Sequence, residues 1–441
     1  MTDADALLVT GESALRERGQ ARVTWTPTFI AYLGYLFIIV TYKFGVATVM
    51  MVVALASLFL DSDRVRIPKF LWWLAAWVVW AAIGFVTTRY PDVVWEGVIQ
   101  HCKILVVGVV AVNALRTKTQ IRYFMLVVLV SFLLFPVRAT VVSYLQGHRI
   151  MGRAAGPFIY ENPNDLAAIT ILMLAPALAL WAGEPRRSPV RWIGLACVVP
   201  LVVTILLTQS RGAFLALVAI VVPSGIALAR RRLRLVVAFA AVIGVALSQA
   251  PAGLWQRLAG LRKATSIETI GEMDPEGSAR ERFAVLQTAV RIVVDHPLLG
   301  IGLGAYDRAN AQYSPSLGDR DTHNTYMNIA AETGLPGLVF FLALVTTALR
   351  TARDALRRAK GAWPEEVEAL RWLQYGLVGY LIAGVFGSFS SLAFPYVFLA
   401  LLWSASEVLR ARCPPTSSRR PAPGQLPVAT IPVRPHRGWS V

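Results

Sequence analysis

Residues 192–208 read WIGLACVVPLVVTILLT and contain no charged side chain. A helix rises about 1.5 Å per residue, so roughly 17–25 apolar residues are needed to cross the hydrocarbon core of a bilayer. Arg186, Arg187 and Arg191 precede the run, and Gln209 follows it. The stretch is therefore predicted to be one membrane-spanning helix that begins beside a basic loop.

Similar apolar runs recur along the whole chain. Of its 441 residues, 56% are hydrophobic and 16% are charged, whereas an ordinary soluble domain carries about 25% charged residues. This composition excludes a disordered chain, a fibrous repeat and a disulfide scaffold. The three cysteines, Cys102, Cys197 and Cys413, are scattered and show no metal-binding spacing. We therefore predict an all-α integral membrane protein.

Twelve apolar blocks are long enough to be spans. They comprise residues 27–42, 44–60, 70–88, 96–115, 123–145, 166–182, 192–208, 213–229, 235–250, 334–350, 373–388 and 394–409. The fourth block is the least regular, because Glu96, His101 and Lys103 lie in or near it. The prediction is a bundle of about twelve transmembrane helices, and it leaves open whether the fourth block crosses completely.

The basic residues indicate how these spans are oriented. The chain has 43 Lys and Arg against 26 Asp and Glu, a formal net charge of +17. With the N-terminus in the cytoplasm, every short cytoplasmic loop is basic and the short outer loops are poor in basic residues, as the positive-inside rule requires. Because the basic residues are scattered between apolar blocks, binding to nucleic acid is not expected.

This arrangement divides the chain into five segments. Residues 1–26 form a cytoplasmic N-terminus, 27–250 carry spans one to nine, 251–325 form one large outer loop domain, 326–409 carry spans ten to twelve, and 410–441 form a basic cytoplasmic tail. The tail is predicted to be disordered, because it is rich in Pro, Ser and Arg and has no apolar period.

The outer loop domain is predicted to contain an amphipathic helix. Ser278 can cap this helix, and Phe283, Leu286, Val290 and Val293 follow at helical spacing. These four side chains define its predicted apolar face.

Polar residues near the outer membrane surface are informative, since such residues are costly in so apolar a chain. Arg153 runs against the orientation rule, and Asn162 and Asn164 flank a proline before the sixth span. A turn in which Asn164 or Asp165 caps that span is an equally simple interpretation of the Asn residues.

Two further arginine sites lie on the same side. Ser210 and Arg211 occupy a loop so short that Arg211 must lie at the membrane surface or within it. Arg280 and Arg282 lie at a helix start, where the helix dipole favours anions such as phosphate over cations. The simpler alternatives are a snorkelling arginine for Arg211 and a solvated charged turn for the pair.

His323 lies where the outer loop domain meets the tenth span, and Asn324 and Tyr326 follow it. An imidazole has an ordinary pKa near 6.5, which suits proton transfer at neutral pH. A hydrogen-bonded interfacial imidazole is the alternative. The glycine-rich residues 300–304 are interpreted as a tight turn, because they lack the lysine and the strand–turn–helix context of a nucleotide loop.

His323 and Asn324 are followed by nine residues and then by GLPG at 334–337, which reads H-N-x9-G-x-x-G before an apolar span. This pattern resembles the hallmark of the O-antigen ligase and O-antigen polymerase superfamily, which includes membrane glycan ligases, polymerases and protein O-oligosaccharyltransferases. Further segments also resemble motifs of that family: GPF at 156–158, NPND at 162–165, SRG at 210–212 and HPLLGIGLGAY at 296–306.

The resemblance implies a fold like that of the C-type membrane glycosyltransferases. It implies metal-independent, inverting transfer of a glycan from undecaprenyl diphosphate to an acceptor hydroxyl, within cell-surface polysaccharide and lipopolysaccharide biosynthesis. The reaction would take place at the periplasmic face of the bacterial inner membrane, with 251–325 as a periplasmic loop domain. No cofactor, metal or nucleotide sugar is expected. The partners would be the lipid-linked donor, membrane lipid, and a lipid A–core, glycan or protein acceptor.

The resemblance and the chemistry together suggest roles for the polar residues. A diphosphate leaving group requires cations, and the planar fork of arginine suits phosphate. The predicted diphosphate-binding residues are Arg211, Arg280, Arg282 and Arg153. The predicted catalytic base is His323. The predicted supporting residues are Asn324, Asn162, Asn164, Tyr326 and Ser210.

Several functions remain open at this stage. The H-N-x9-G-x-x-G spacing slightly favours a ligase over a repeat-unit polymerase or a protein O-oligosaccharyltransferase. A secondary transporter with twelve spans is the alternative of another class. Such a transporter usually has a substantial cytoplasmic loop between its two halves, whereas the connection between spans six and seven is only residues 183–191.

Overall fold

The structure of the chain, a computed structural model, describes residues 25–42, 45–60, 65–220 and 278–413, together with Gly244 and Trp255. These residues form helices and their connections, with one isolated bridge between Ile150 and Arg153. Three sequence predictions fall largely outside them: the N-terminal segment, the ninth span and the C-terminal tail. The same holds for most of residues 251–277 of the loop domain.

The helices follow one another along the described chain with short connections. They are α1 Pro27–Thr41, α2 Ala47–Leu60, α3 Lys69–Ile83, α4 Pro91–Ala114, α5 Lys118–Leu145, α6 Pro163–Gly183, α7 Pro189–Thr208, α8 Arg211–Ile220, α9 Ser278–Asp295, α10 Tyr306–Tyr313, α11 Thr325–Arg358, α12 Pro364–Ala383 and α13 Ala393–Arg412. Within α5 a π-helical turn, Leu133–Val137, contains Pro136, which has no N–H to give to the helical ladder.

Polar caps explain where several helices begin. The Thr26 side chain accepts the Phe29 N–H at the start of α1. Thr117 and Gln120 form a reciprocal capping box at the start of α5. Asn324 accepts backbone N–H groups at the start of α11. Such caps satisfy donors that have no partner within the helix, and each typically stabilises a helix by about 1 kcal/mol.

Six of the described helices are long and apolar enough to cross a membrane: α3 with the 3-10 turn after it, α4, α5, α6, α7 and α11. Shorter apolar helices are α1, α2 and α8. The predicted class, an all-α integral membrane protein, is therefore supported. The fourth apolar block forms the 24-residue helix α4, long enough to span. The count of twelve stays a prediction.

Two predicted spans are longer or shifted in the structure. The block 334–350 is part of α11, which begins at Thr325 and kinks at Gly334. The block 373–388 corresponds to α12, which begins at Pro364 and ends at Ala383. Both helices continue through charged or polar turns, because capping residues and Pro364, rather than the edge of the apolar block, decide where a helix starts.

Helix α6 lies at the centre of the described bundle, and most of its residues are buried. Small residues let its neighbours approach closely. A Cβ at Gly376 of α12 would overlap Ala175, and a Cβ at Gly194 of α7 would lie 2.7 Å from the Ala177 carbonyl oxygen. Close approach of this kind is how helices pack where lipid supplies no hydrophobic driving force.

Contacts at one end of the bundle join loops that the positive-inside rule assigns to the cytoplasm. Glu366 accepts hydrogen bonds from Lys118 at 2.8 Å and from Arg412 at 2.9 Å. Arg122 lies 3.6 Å from Glu184. We call the first of these groups the Glu366 cluster: Glu366, Lys118 and Arg412. The pairing of these loops supports an even number of crossings between them.

The amphipathic helix predicted in the loop domain is present as α9, but its fully buried residues are not those of the predicted face. The side chains of α9 that are buried against the protein are Val285, Ala289 and Ile292. Val290, a member of the predicted face, is 48% exposed. The helix carries apolar residues on two sides, and periodicity alone does not tell which side meets the protein.

Candidate functional site

The turn that carries His323 is held by the loop 384–392, which connects α12 to α13. Thr325 N–H donates to the Gly384 carbonyl at 2.8 Å, and Thr325 Oγ1 donates to the Gly387 carbonyl at 2.6 Å. The hydroxyls of Thr322 and Ser388 lie 2.6 Å apart. These bonds fix the residues on both sides of His323 to one neighbouring loop.

His323 itself has a left-handed backbone conformation, with φ of 51°. Residues other than glycine rarely adopt this conformation, and it occurs often at functional sites. The imidazole Nδ1 lies 3.5 Å from Oδ2 of Asp321, and the two side chains are 29% and 34% exposed. Asp321 is therefore placed to orient the ring and to stabilise its charged form.

The electrostatic surroundings keep His323 neutral at pH 7. Burial lowers the pKa of the imidazole below its usual value, Asp321 opposes this effect, and the charge of Arg282 lowers the pKa further. A neutral imidazole has a nitrogen that can accept a proton. Since Nδ1 faces Asp321, Nε2 is the nitrogen that remains to accept a proton.

Arg282 comes near His323 because α9 is tied to the preceding loop. Arg320 Nε lies 2.7 Å from Glu281 Oε1, which links the first turn of α9 to the segment just before His323. Arg280 is exposed, and helical geometry directs it about 200° around the helix from Arg282. Among the described residues, Arg280 has no contact with His323.

Three other predicted residues form one hydrogen-bond network. Arg153 is buried, and it donates through Nε to the Thr208 carbonyl at 2.8 Å and through Nη2 to Asn164 Oδ1 at 2.7 Å. Ser210 Oγ donates to the same Asn164 oxygen at 3.0 Å. The network fixes the start of α6 to the short turn between α7 and α8. These contacts favour a positioning role for Arg153, whose contact with a diphosphate stays a prediction.

Arg211 begins α8 directly after this network, and its side chain is partly buried. Gln209 just before it has a left-handed backbone, with φ of 51°. A Cβ at Gly212 would lie 2.6 Å from the Phe386 side chain, so the start of α8 packs against loop 384–392. The same loop therefore contacts the Arg211 turn and the His323 turn.

The start of α6 also approaches this region. Asp165, in the first turn of α6, and Asp321 are close enough for their carboxylates to repel each other. Asn162 caps α6 by accepting the Asn164 N–H at 2.9 Å, so the capping residue is Asn162 and not Asn164 or Asp165, which the simpler interpretation had named. We call Asp321, His323, Arg282, Arg211 and loop 384–392 the candidate site.

Asn324 and Tyr326 make hydrogen bonds that hold the turn. Asn324 Oδ1 accepts the N–H groups of Tyr326 and Met327 at 3.0 Å each. Tyr326 donates its hydroxyl to the Leu381 carbonyl at 2.7 Å. Both residues therefore fix the start of α11, and their supporting role in the reaction stays a prediction.

The two glycine-rich motifs pack against each other. Gly334 has φ of 71°, and a Cβ there would overlap the Leu298 carbonyl. Leu335 N–H donates to the Pro297 carbonyl at 2.8 Å, and Gly302 N–H donates to the Glu332 carbonyl at 2.9 Å. The segment 296–306 is thus a tight turn docked on the kink of α11.

Sequence reasoning missed two features of this region. Loop 384–392 was largely assigned to a span, although its glycines and serines interrupt the apolar block. Glu332 is buried, and its carboxylate accepts the Tyr306 N–H at 3.3 Å. A lone acidic residue within an apolar region is the signal that marks it.

The comparisons with known proteins agree with the sequence motifs. Residues 195–342 match the family model described as O-antigen ligase. The matched residues contain Arg211, Arg280, Arg282 and His323, whereas Arg153, Asn162 and Asn164 precede them. No curated protein matches the chain. The match supports glycan transfer of the ligase or polymerase type, and it confirms the predicted resemblance to the O-antigen ligase superfamily.

Proposed function

We propose that the chain transfers a glycan from undecaprenyl diphosphate to an acceptor hydroxyl at the periplasmic face of the bacterial inner membrane. The observation that carries the proposal is His323, held in a strained turn 3.5 Å from Asp321 and kept neutral by burial and Arg282. It lies within the residues that match the O-antigen ligase model. The candidate spans would hold the polyprenyl tail of the donor.

In the proposed reaction, the acceptor oxygen attacks the anomeric carbon while the bond from that carbon to the diphosphate oxygen breaks. The hydroxyl proton moves to Nε2 of His323, and Asp321 stabilises the imidazolium that forms. The electron pair of the broken bond leaves with the diphosphate. A single displacement inverts the configuration, and it needs neither a metal nor a covalent glycosyl-enzyme.

The leaving diphosphate gains negative charge, and we assign its stabilisation to Arg282 and Arg211. Preorganised cations in a water-poor site typically contribute several kcal/mol to such a step. We assign Arg153 to positioning, because its Nε and Nη2 already donate to Thr208 and Asn164. Asn164 and Ser210 then transmit that support to the Arg211 turn.

The test uses the purified full chain in detergent with an oligosaccharide linked to undecaprenyl diphosphate, in the presence of EDTA. Release of undecaprenyl diphosphate is followed for the wild type, His323→Ala and His148→Ala. His148 lies in an exposed turn after α5 and serves as the matched control. We expect release by the wild type and the control, and loss of release in His323→Ala.

The acceptor class is read from the same assay. Lipid A–core, lipid-linked repeat units and a serine-containing peptide are offered in turn, and glycosylation of one of them identifies a ligase, a polymerase or a protein transferase. A folded preparation that releases no diphosphate with any acceptor, but moves a lipid-linked or free glycan across proteoliposomes, would replace the proposal with a transporter. Release that EDTA abolishes would contradict metal independence.

A further inference from the structure

Helix α9 has an apolar stripe on the side that faces away from the protein. Val290 is 48% exposed and Val294 is 71% exposed. Helical geometry places Val294 about 180° from the buried Val285. Leu298, just past the end of the helix, is 66% exposed. Exposed apolar residues at this spacing are a contiguous surface, which a water-facing domain rarely carries.

This stripe continues the exposed apolar surface of a candidate span. The Pro297 carbonyl accepts the Leu335 N–H at 2.8 Å, so Leu298 lies beside Leu335 of α11. Leu335, Val339 and Leu342 are all exposed and follow one another at helical spacing. Because α11 is one of the helices able to cross a membrane, these side chains are positioned to face lipid. The same surface extends through Leu298 onto α9.

Exposed cations flank the stripe on one side. Arg280 and Arg291 are both exposed, and helical geometry places them about 40–60° around α9 from Val294. Apolar residues on one side of a helix, with arginine on the adjacent side, are typical of helices that lie at the boundary between lipid acyl chains and headgroups. Phosphate groups of the lipids would then meet the arginine side chains, while the valines enter the acyl region.

We propose that α9 lies at the lipid–water boundary as a membrane-docked helix, with Val290, Val294 and Leu298 in the acyl boundary and Arg280 and Arg291 against lipid phosphates. This inference does not depend on the proposed function, because it concerns the lipid surface and not the transferred glycan. It also gives Arg280 a role that differs from its predicted contact with the donor diphosphate, since Arg282, unlike Arg280, is among the charges that act on His323.

The test places single cysteines in the full chain after Cys102, Cys197 and Cys413 are replaced by alanine. Val294→Cys and Leu298→Cys are spin-labelled and reconstituted in vesicles of phosphatidylethanolamine and phosphatidylglycerol. Two reference variants define the scale. Val339→Cys lies on the lipid-facing side of α11, and Ser316→Cys lies in an exposed polar loop.

The measured quantity is the ratio of collision rates with oxygen, which dissolves in lipid, and with a nickel chelate, which stays in water. We expect a ratio at Val294 and Leu298 that exceeds the Ser316 ratio several-fold and approaches the Val339 ratio. A ratio equal to that of Ser316 would place α9 in water and overturn the proposal. Labels that neither reagent reaches would also overturn it, because another segment of the chain or a second copy would then cover the stripe.

A second measurement addresses the arginines without using a label. The double variant Arg280→Gln, Arg291→Gln is reconstituted in the same vesicles with the Leu298→Cys label. We expect a measurable fall in the oxygen-to-nickel ratio relative to the parent Leu298→Cys chain, because the helix loses its attraction to lipid phosphates. An unchanged ratio would show that the two arginines do not help to hold α9 at the membrane.

Discussion

The turn around His323 and the turn around Glu366 are both attached to α12, at its opposite ends, and they are held in different ways. Thr322 and Thr325 hold the first turn through hydroxyl and backbone bonds to loop 384–392. The Glu366 cluster holds the second turn through ion pairs with Lys118 and Arg412. The contacts between the first turn and loop 384–392 are neutral, whereas the contacts of the Glu366 cluster are charged.

The difference has a functional consequence. Because loop 384–392 holds the His323 turn through neutral groups, we expect removal of the Asp321 or Arg282 charge to change the pKa of the imidazole more than the shape of the turn. At the Glu366 end, the contacts are themselves ion pairs. Removing one charge there also removes a contact that holds the helices together. Substitutions at the two ends should therefore separate effects on the reaction from effects on stability.

The largest expected effect is at His323. Replacing it with glutamine should lower turnover about 10²–10⁴-fold, which is the usual contribution of a general base. Thermal unfolding should change little, because the framework of the turn does not use the imidazole. Diphosphate release and unfolding are measured on the same preparation. A turnover rate within tenfold of the wild-type rate would show that His323 is not the general base.

The second effect concerns the neutral contacts between the His323 turn and loop 384–392. Thr325→Val removes a buried hydroxyl that donates to the Gly387 carbonyl and accepts the Phe389 N–H. We expect a loss of about 1–3 kcal/mol in unfolding free energy, since the partners stay buried. Turnover should fall about ten- to a hundredfold as the His323 turn shifts.

Thr346→Val is the matched control for this change. Thr346 lies on the same helix, is exposed and donates only within α11. It should leave both turnover and unfolding near the wild-type values. Equal effects of the two valine substitutions would mean that loop 384–392 does not position the site.

The third effect is a pair of opposite shifts in pH dependence. The acidic limb of kcat/KM should report the pKa of His323 and lie below 6.5, because burial and Arg282 lower that pKa. Arg282→Gln removes a charge that lowers the pKa, so its limb should move to higher pH. Asp321→Asn removes a charge that raises the pKa, so its limb should move to lower pH.

The control for both variants is Arg149→Gln, an exposed arginine after α5 whose guanidinium stacks on Tyr144. The acidic limb of its kcat/KM profile should coincide with that of the wild type. Shifts of Arg282→Gln and Asp321→Asn in the same direction would contradict the direct effect of at least one of these charges on His323.

The helices were largely predictable from sequence, because apolar blocks and caps are local signals. The H-N-x9-G-x-x-G pattern also led to His323, but it did not show that Gly334 is a kink within α11. The sequence could not show that Arg153 donates to Asn164 and Thr208, since the three residues are distant in the chain. Contacts of this kind depend on how α6, α7 and the preceding turn pack.

The fully buried residues of α9 were not identified from the sequence, for a different physical reason. Its apolar residues occupy two sides, and the pattern Phe283, Leu286, Val290 and Val293 identifies only one of them. The protein buries the other side, at Val285, Ala289 and Ile292. In a membrane protein an apolar face has two possible neighbours, protein and lipid, so periodicity alone does not identify the core.

The smallest expected effect is at the charged end of α12. Glu366→Gln keeps the size of the side chain, but it removes the charge that meets Lys118 and Arg412. Glu366 is partly exposed, so we expect a loss of about 1 kcal/mol in unfolding free energy. Turnover should stay at the wild-type value, since the candidate site is at the other end of α12.

The pH and salt dependence of that loss distinguishes an ion pair from a packing defect. Burial raises the pKa of Glu366, but the hydrogen bond and charge of Lys118 together with Arg412 outweigh it, so the pKa lies below its usual value. The stabilisation is therefore present above the pKa of the unfolded chain and is lost as pH falls through the lower, folded pKa. The difference in unfolding free energy between the wild type and Glu366→Gln should therefore become smaller at low pH and in high salt. Glu365 is the exposed neighbour of Glu366 and serves as the control. The unfolding free energy of Glu365→Gln should equal that of the wild type under all of these conditions. A loss at Glu366 that is independent of both pH and salt would mean that packing, and not charge, holds this end of the bundle.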